Sequence, residues 1–419
     1  MLDRRKFLAN TLKGSTLIAL GPVVPGFLAA AARAATPGAD KILVVLEMAG
    51  GNDGLNTVIP YVDDAYQKAR PTLRFSKQEV VRVDDHLGLN PGMRSFEELL
   101  SRNELAIVQG VGYPNPNRSH FESMDIWQSA DLQNQSGTGW LGRSVEQLQV
   151  AQGKIPGMYV GGGELPLALH GSPMGIPSIR PGKPYDLNLG TSTDKDRSAR
   201  RKLIEEVTEQ SPGTDGGLLQ FVKRSALETY ASVDRLRDVM RDSRSDLRFY
   251  SAPGQGGGAG GLAEKFSLVG RMIQAGFGAR LFYLSIGGFD THSNQRQGHQ
   301  ELLQQVANSV RGFFQQLRDS GNASRVLAMT FSEFGRRVDE NGSRGTDHGA
   351  ASCLFVAGPG ARGGVVGKHP SLTDLGDGDL KYHTDFRQVY ATLLDDWLSC
   401  DSERVLGGRF TRLPLIRKG

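Results

Sequence analysis

Short apolar runs alternate with longer amphipathic stretches along most of this chain, and that alternation admits few architectures. The runs Ile42–Leu46, Leu105–Gln109, Met158–Val160, Arg280–Ile286, Val326–Phe331 and Cys353–Ala357 read as strands. Helical stretches fall between them, near residues 93–102, 119–131, 262–276, 296–319 and 384–398. This order predicts an α/β fold, a three-layer α/β/α sandwich whose sheet is mainly parallel with helices on both faces. No repeat of fixed period stands out. Residues 195–262 break the pattern with charged helical stretches (Arg200–Glu209, Leu218–Arg244) followed by the glycine tract Pro253–Gly261. They read as a helical insertion with a flexible return, placed as a cap near the site, within one domain over 36–419. The tract lacks the Gly-Lys-Ser/Thr that completes a phosphate loop.

The first 35 residues read as a leader. Asp3-Arg4-Arg5-Lys6-Phe7-Leu8 precedes an apolar stretch ending in Ala32-Arg33-Ala34, the pattern of twin-arginine export. Gly14, Gly21, Pro22, Pro25 and Gly26 suit a cleaved leader better than a membrane span, so the mature chain is expected to be exported, periplasmic in the usual case, without stable membrane insertion. The expected partner at that stage is the twin-arginine translocation machinery, which moves folded proteins, often with metal already loaded.

Residues 1–34 contain five basic side chains and one acid, so removing them turns 49 basic and 45 acidic residues into 49 − 5 = 44 and 45 − 1 = 44. A mature chain without net charge gives no electrostatic reason to expect nucleic acid. Two cysteines permit one bridge in an oxidising compartment, but Cys353 lies in an apolar run and reads as a buried hydrophobe.

Three patches that follow apolar runs carry the chemistry: Gly-Gly-Phe-Asp290-Thr-His292, Phe-Ser-Glu333-Phe-Gly and Gly-Thr-Asp347-His348-Gly. A fourth acid, Asp53, follows the first run in Gly-Gly-Asn-Asp53-Gly. The ends of parallel strands form one crevice, so Asp53, Asp290, His292, Glu333, Asp347 and His348 are expected to meet there as metal ligands. Each has a plainer reading. Asp53, Asp290 and Asp347 suit polar turns, and Glu333 can pair with Arg336 or Arg337. Carboxylate and imidazole together favour zinc, manganese or iron over calcium.

Arg118-Ser119-His120-Phe-Glu122 opens a helix, where Ser119 and Glu122 match a capping box and Ser119 can equally serve as a nucleophile. Arg118, His120 and Arg336 are the candidates for holding an anionic group. His86, His170, His299 and His369 read as solvated; His383, ahead of the last long helix, stays a reserve ligand.

On these motifs the chain resembles the uncharacterised, mostly twin-arginine-exported bacterial family called domain of unknown function 1501, itself distantly similar to sulfatases and the alkaline-phosphatase superfamily. The resemblance covers nearly all of the mature chain and rests on Gly-Gly-Asn-Asp53-Gly, Arg-Ser119-His120-Phe, Gly-Gly-Phe-Asp290-Thr-His292, Ser-Glu333-Phe-Gly-Arg336 and Thr-Asp347-His348-Gly. It implies two adjacent metals at the strand ends, with Asp53 as first-strand ligand, Asp290 and His292 as central ligands and His348 as the final histidine. Two departures stand out: Glu333-Phe334 replaces an Asp-His pair, and Ser119 lies later than the usual nucleophile. Neither Cys353 nor Cys400 starts the Cys-x-Pro-x-Arg motif needed for formylglycine, which excludes a sulfatase of that type. The combined expectation is an exported hydrolase of a phosphate or related anionic ester using a divalent metal, one ion or two. The alternative is a catalytically degenerate binding or assembly protein that keeps a metal or ligand site.

Overall fold

A computed structural model describes residues 41–148, 155–161, 164–181 and 261–417. The leader and nearly all of the expected insertion lie outside the described residues.

Among the described residues, nine strands form the main sheet: β1 (Ile42–Met48), β2 (Leu105–Gly112), β3 (Gly157–Val160), β4 (Ser178–Ile179), β5 (Leu281–Ile286), β6 (Val326–Phe331), β7 (Ser352–Ala357), β8 (Gly364–Val366) and β9 (Thr384–Asp385). Their spatial order is β8-β2-β7-β6-β1-β5-β3-β4, with β9 also on β2. All six expected strands are present. Every pairing is parallel except those of β7, which runs antiparallel to both β2 and β6.

The central strand β1 buries both faces, and alternation decides which layer each residue meets. Ile42, Val44, Leu46 and Met48 face one core with α2 (Leu262–Gln274) and α3 (Gln295–Asp319), which contribute Phe266, Met272, Val310 and Phe313. Leu43 and Val45 face the other with α1 (His120–Ser129) and α4 (Phe386–Thr392), through Trp127, Phe386 and Tyr390. Two helical layers around one sheet make the α/β/α sandwich. The helix α4 starts at a complete capping box, Asp385 with Gln388. Cys353 and Cys400 are free and packed in opposite cores, so the sheet itself keeps them apart. No helix among the described residues is long and apolar enough to cross a membrane.

Behind the sheet's working edge lies a buried polar knot. Asp53 is fully buried and takes two hydrogen bonds from Arg70, at 2.6 and 3.2 Å, plus one from the Gln295 amide. Burial pushes the Asp53 carboxyl up, but the charge and hydrogen bonds of Arg70 outweigh it and hold the carboxyl below its ordinary range. His299, expected in solvent, is also buried, on the inner face of α3, with Nε2 2.9 Å from the Asn52 Oδ1. Burial holds its imidazole down at about 4.

Two measurements check this knot. Asp53→Ala leaves the Arg70 guanidinium buried without a counter-ion and is expected to cost roughly 3–5 kcal/mol in denaturant unfolding. His299 binds a proton near 6.5 when unfolded but only at about 4 when folded, so acidification across that window favours the unfolded chain. Stability is therefore expected to fall between pH 6.5 and 4, and His299→Gln should flatten that slope. A wild-type slope identical to the variant's would contradict the buried neutral histidine.

Candidate metal centre

Parallel strands place their carboxyl ends on one edge, and the loops leaving β1, β2, β5 and β6 converge there. His348 arrives differently: it precedes β7 rather than following a strand. Because β7 runs antiparallel, its starting end shares that edge. A short antiparallel bridge between Arg336 and His348 fixes the two approaches to each other.

Four side chains meet at this edge. Asp290 Oδ1 lies 3.0 Å from His292 Nε2 and 3.2 Å from His348 Nε2, and Asp290 Oδ2 lies 3.5 Å from His120 Nε2. The Nε2 atoms of His292 and His348 are 3.0 Å apart. His120, Asp290 and His348 bring their donor atoms within 4.8 Å of one another. Asp290 and His292, two apart after β5, do reach a common point.

The outward ring nitrogens explain the arrangement. His348 Nδ1 donates to the Arg118 carbonyl at 2.9 Å, since a carbonyl only accepts. His120 Nδ1 lies 2.7 Å from Glu333 Oε1, and His292 Nδ1 lies 3.5 Å from Asp347 Oδ1. Each ring thus meets an oxygen acceptor on one side and, when neutral, turns a bare Nε2 lone pair inward. His120 Nε2 is buried and makes no hydrogen bond. Lone pairs facing one another and a carboxylate at about 3 Å repel unless positive charge lies between them, either a ring proton or a cation.

The distances fit a cation of zinc type. Bonds of about 2.0–2.1 Å in a tetrahedron put neighbouring donors about 3.3 Å apart; Asp290 Oδ1, His292 Nε2 and His348 Nε2 lie 3.0–3.2 Å from one another, while His120 Nε2 lies 3.5 Å from the other Asp290 oxygen. Three nitrogens and one oxygen are also a donor set such an ion prefers. His120, Asp290 and His348 are the mutually close set able to hold it, with His292 beside Asp290 and His348 as a further donor.

Asp290 is kept ionised. Partial burial raises its pKa, but hydrogen bonds from Arg336 and His348, with the charges of Arg336 and His292, lower it further, to about 2. The Arg336 guanidinium is itself fully buried and donates to the carbonyls of Gly50, Gly51, Phe289 and Thr346 as well as to Asp290 Oδ1 at 2.7 Å. Gly50 has φ +122°, and a Cβ there would sit 2.4 Å from the Asp290 nitrogen. Only glycine lets the first loop approach the second so closely.

Several expected roles change. Asp53 lies apart from the cluster, because both its oxygens are taken by Arg70 and Gln295. Glu333 and Asp347 stand behind His120 and His292 rather than facing the centre. Glu333 also accepts from the Gly50 N–H at 2.8 Å and the Ser332 hydroxyl at 3.0 Å, and it pairs with neither Arg336 nor Arg337. Asp347 accepts from the Asn341 amide at 3.1 Å.

Neither arginine has its charge free for an anion. Arg336 is spent on Asp290 and four carbonyls, and Arg118 on Asp379 at 2.6 Å with Asp377 at 3.2 Å. The capping box at Ser119 is not formed: its side chain makes no cap bond, and Glu122 accepts from Asn117 instead. His383, the reserve ligand, is turned to the Lys368 carbonyl at 2.6 Å.

The sequence reading undervalued two residues. His120 supplies a third inward nitrogen, signalled only by its place at the first turn of the helix after β2. Phe334, where an imidazole was expected, packs its ring 4.9 Å from that of His120 and 4.7 Å from that of His348.

The chain belongs to the family described as "Protein of unknown function (DUF1501)", which matches residues 40–412. No curated protein matches it. Among solved structures it is similar to a protein in the alkaline phosphatase superfamily from Vibrio parahaemolyticus, with 10% identity, 98% of this chain and 78% of that chain covered, and a TM-score of 0.38. It is also similar to the PsFucS1 sulfatase from Pseudoalteromonas sp., with 11% identity, 92% and 72% covered, and a TM-score of 0.34.

An NMR titration of the metal-free protein tests the electrostatics here. The Asp290 carboxyl is expected to titrate at about 2, and Arg336→Met should move its midpoint upward; a wild-type midpoint at 3.8 or above would contradict the role given to Arg336.

Proposed function

We propose that this protein is an exported, metal-dependent hydrolase of a phosphate or related anionic ester, with His120, His292, His348 and Asp290 holding a divalent cation. One observation supports the reading most: three imidazoles, each backed by an oxygen acceptor, turn their second nitrogens toward one ionised carboxylate. A cation held there would supply positive charge to an anionic ester and lower the pKa of an adjacent water. Glu333, Asp347 and the Arg118 carbonyl orient the three rings. Ser119, adjacent in sequence to His120 and making no capping bond, is the candidate side-chain nucleophile, with water as the competing one. Export rests on Arg4-Arg5 and the apolar stretch behind them.

A second reading is favoured by a specific feature. If all four side chains bound one ion they would complete a tetrahedron, as in structural zinc sites, whereas His120, Asp290 and His348 alone would keep a position open, as catalytic sites commonly do. A binding or assembly protein would have that closed shell.

Metal content and a panel of phosphatase, phosphodiesterase and sulfatase substrates separate these. The hydrolase is expected to lose both bound metal and turnover in the Asp290→Ala, His292→Ala double variant, and full retention of both would end the proposal. Tightly held metal without turnover on any ester would favour the binder. Ser119→Ala is expected to keep metal, and to lose turnover on the order of 10³-fold or more if serine attacks the ester. Unchanged turnover would assign the attack to water.

A further inference from the structure

We propose that Glu47 forms a second subsite on the working edge, one that receives a hydroxyl group from the alcohol part of the ester, so that the substrate is an ester of a polyhydroxy alcohol. The proposal rests on the anionic-ester reading above and concerns residues outside the metal centre.

Glu47 lies near the carboxyl end of β1 and shares a face with Leu43 and Val45, the face covered by α1. The Tyr283 hydroxyl, from β5, and the Gln128 amide nitrogen, from α1 at 2.7 Å, both donate to its Oε2. Gln128 is fixed in that sense, because the Ala168 N–H donates to its Oε1 at 3.1 Å and leaves Nε2 for the acid. One carboxyl oxygen is thus held by two donors. Oε1 accepts no hydrogen bond from a described residue, and Glu47 is only partly buried.

Packing does not ask for an acid here. Glu47 has no ion pair among the described residues, and the ammonium of Lys265, on α2, donates to the Ser285 carbonyl at 2.7 Å. A glutamine would accept from the same two donors without a charge to bury. Burial pushes the Glu47 carboxyl above its ordinary range, against the bonds from Tyr283 and Gln128 and the charge of Lys265, while Glu333 adds to the rise. A proton, when present, belongs on Oε1, since Oε2 already faces two donors.

An open oxygen that accepts when bare and donates when protonated suits a hydroxyl, which does both. The neighbouring charge of Lys265 disfavours a cationic group there. Ser285 pairs with Glu47 across β5 and β1, and its hydroxyl lies 3.5 Å from that of Tyr159, so further polar partners stand alongside. The subsite and the centre share one edge: β5 runs on from Ser285 to Asp290, and β1 runs on to Gly50, whose N–H meets Glu333 behind His120.

The test follows the Glu47 carboxyl by ¹³C NMR in the full chain loaded with Zn²⁺. Glucose 6-phosphate, phenyl phosphate and phosphoethanolamine are titrated in turn; they share an anionic group and differ in the alcohol. Glucose 6-phosphate is expected to move the Glu47 resonance, and Glu47→Met, which keeps the side chain's length without an oxygen, should weaken its binding at least about 10-fold while phenyl phosphate binds both proteins alike. Should the variant fail to fold, the wild-type resonance decides. Phenyl phosphate bound as tightly as glucose 6-phosphate with Glu47 unmoved, or an equal loss of both in the variant, would overturn the subsite and leave the ester reading standing. A Glu47-dependent preference for phosphoethanolamine would overturn the hydroxyl assignment. A wild-type chain that binds none of the three would overturn the ester reading and the subsite with it.

Discussion

The buried guanidinium of Arg336 is the constraint on which the working edge depends. Its donors reach the loop after β1 through Gly50 and Gly51, the loop after β5 through Phe289 and Asp290, and the segment before β7 through Thr346. These segments come from distant parts of the chain, and Gln295 ties the same three together again through Asp53, Thr291 and Thr346. A buried charge cannot be left half-satisfied without a cost of several kcal/mol, so the loops are held wherever the guanidinium finds all its acceptors. Lysine offers a point charge in place of that planar fork and could not hold the same set.

The centre is built on this frame in two shells. Asp290 is presented by the guanidinium, while the three imidazoles are oriented from behind by Glu333, Asp347 and the Arg118 carbonyl. Phe334 packs against two of the rings and restricts their tilt. A site assembled in this way is preorganised: the side chains need not rearrange to bring their inward nitrogens together. The same logic places Asp53 and Arg70 outside the chemistry. They form a second ionic tie just behind the edge, where an acid and a guanidinium neutralise each other and anchor the glycine loop to α3 through Gln295.

Much of this was legible in the chain, and the misses have physical causes. Asp290 and His292 could be paired by eye because residues two apart in extended backbone share a face. His348 was found from its motif, but its reach to the edge depends on β7 running antiparallel, a direction no local pattern encodes. Glu333 and Asp347 were marked as ligands because a carboxylate beside a histidine looks the same whether it binds a cation or orients the ring that does. Asp53 was misplaced for a similar reason: its partner Arg70 lies in a stretch with no motif, and ion pairing across a fold leaves no spacing to read. His299 was assigned to solvent, although it sits on the inner face of α3.

By itself, the sequence determined the layered α/β architecture and the strand ends at which the chemistry gathers, because apolar periodicity and glycine punctuation act over a few neighbouring residues. Only the tertiary structure decided which polar side chains face the centre, which stand behind them and which neutralise each other elsewhere. Those choices are made by burial and by the nearest opposite charge, and both are properties of distances that exist only after the chain has folded.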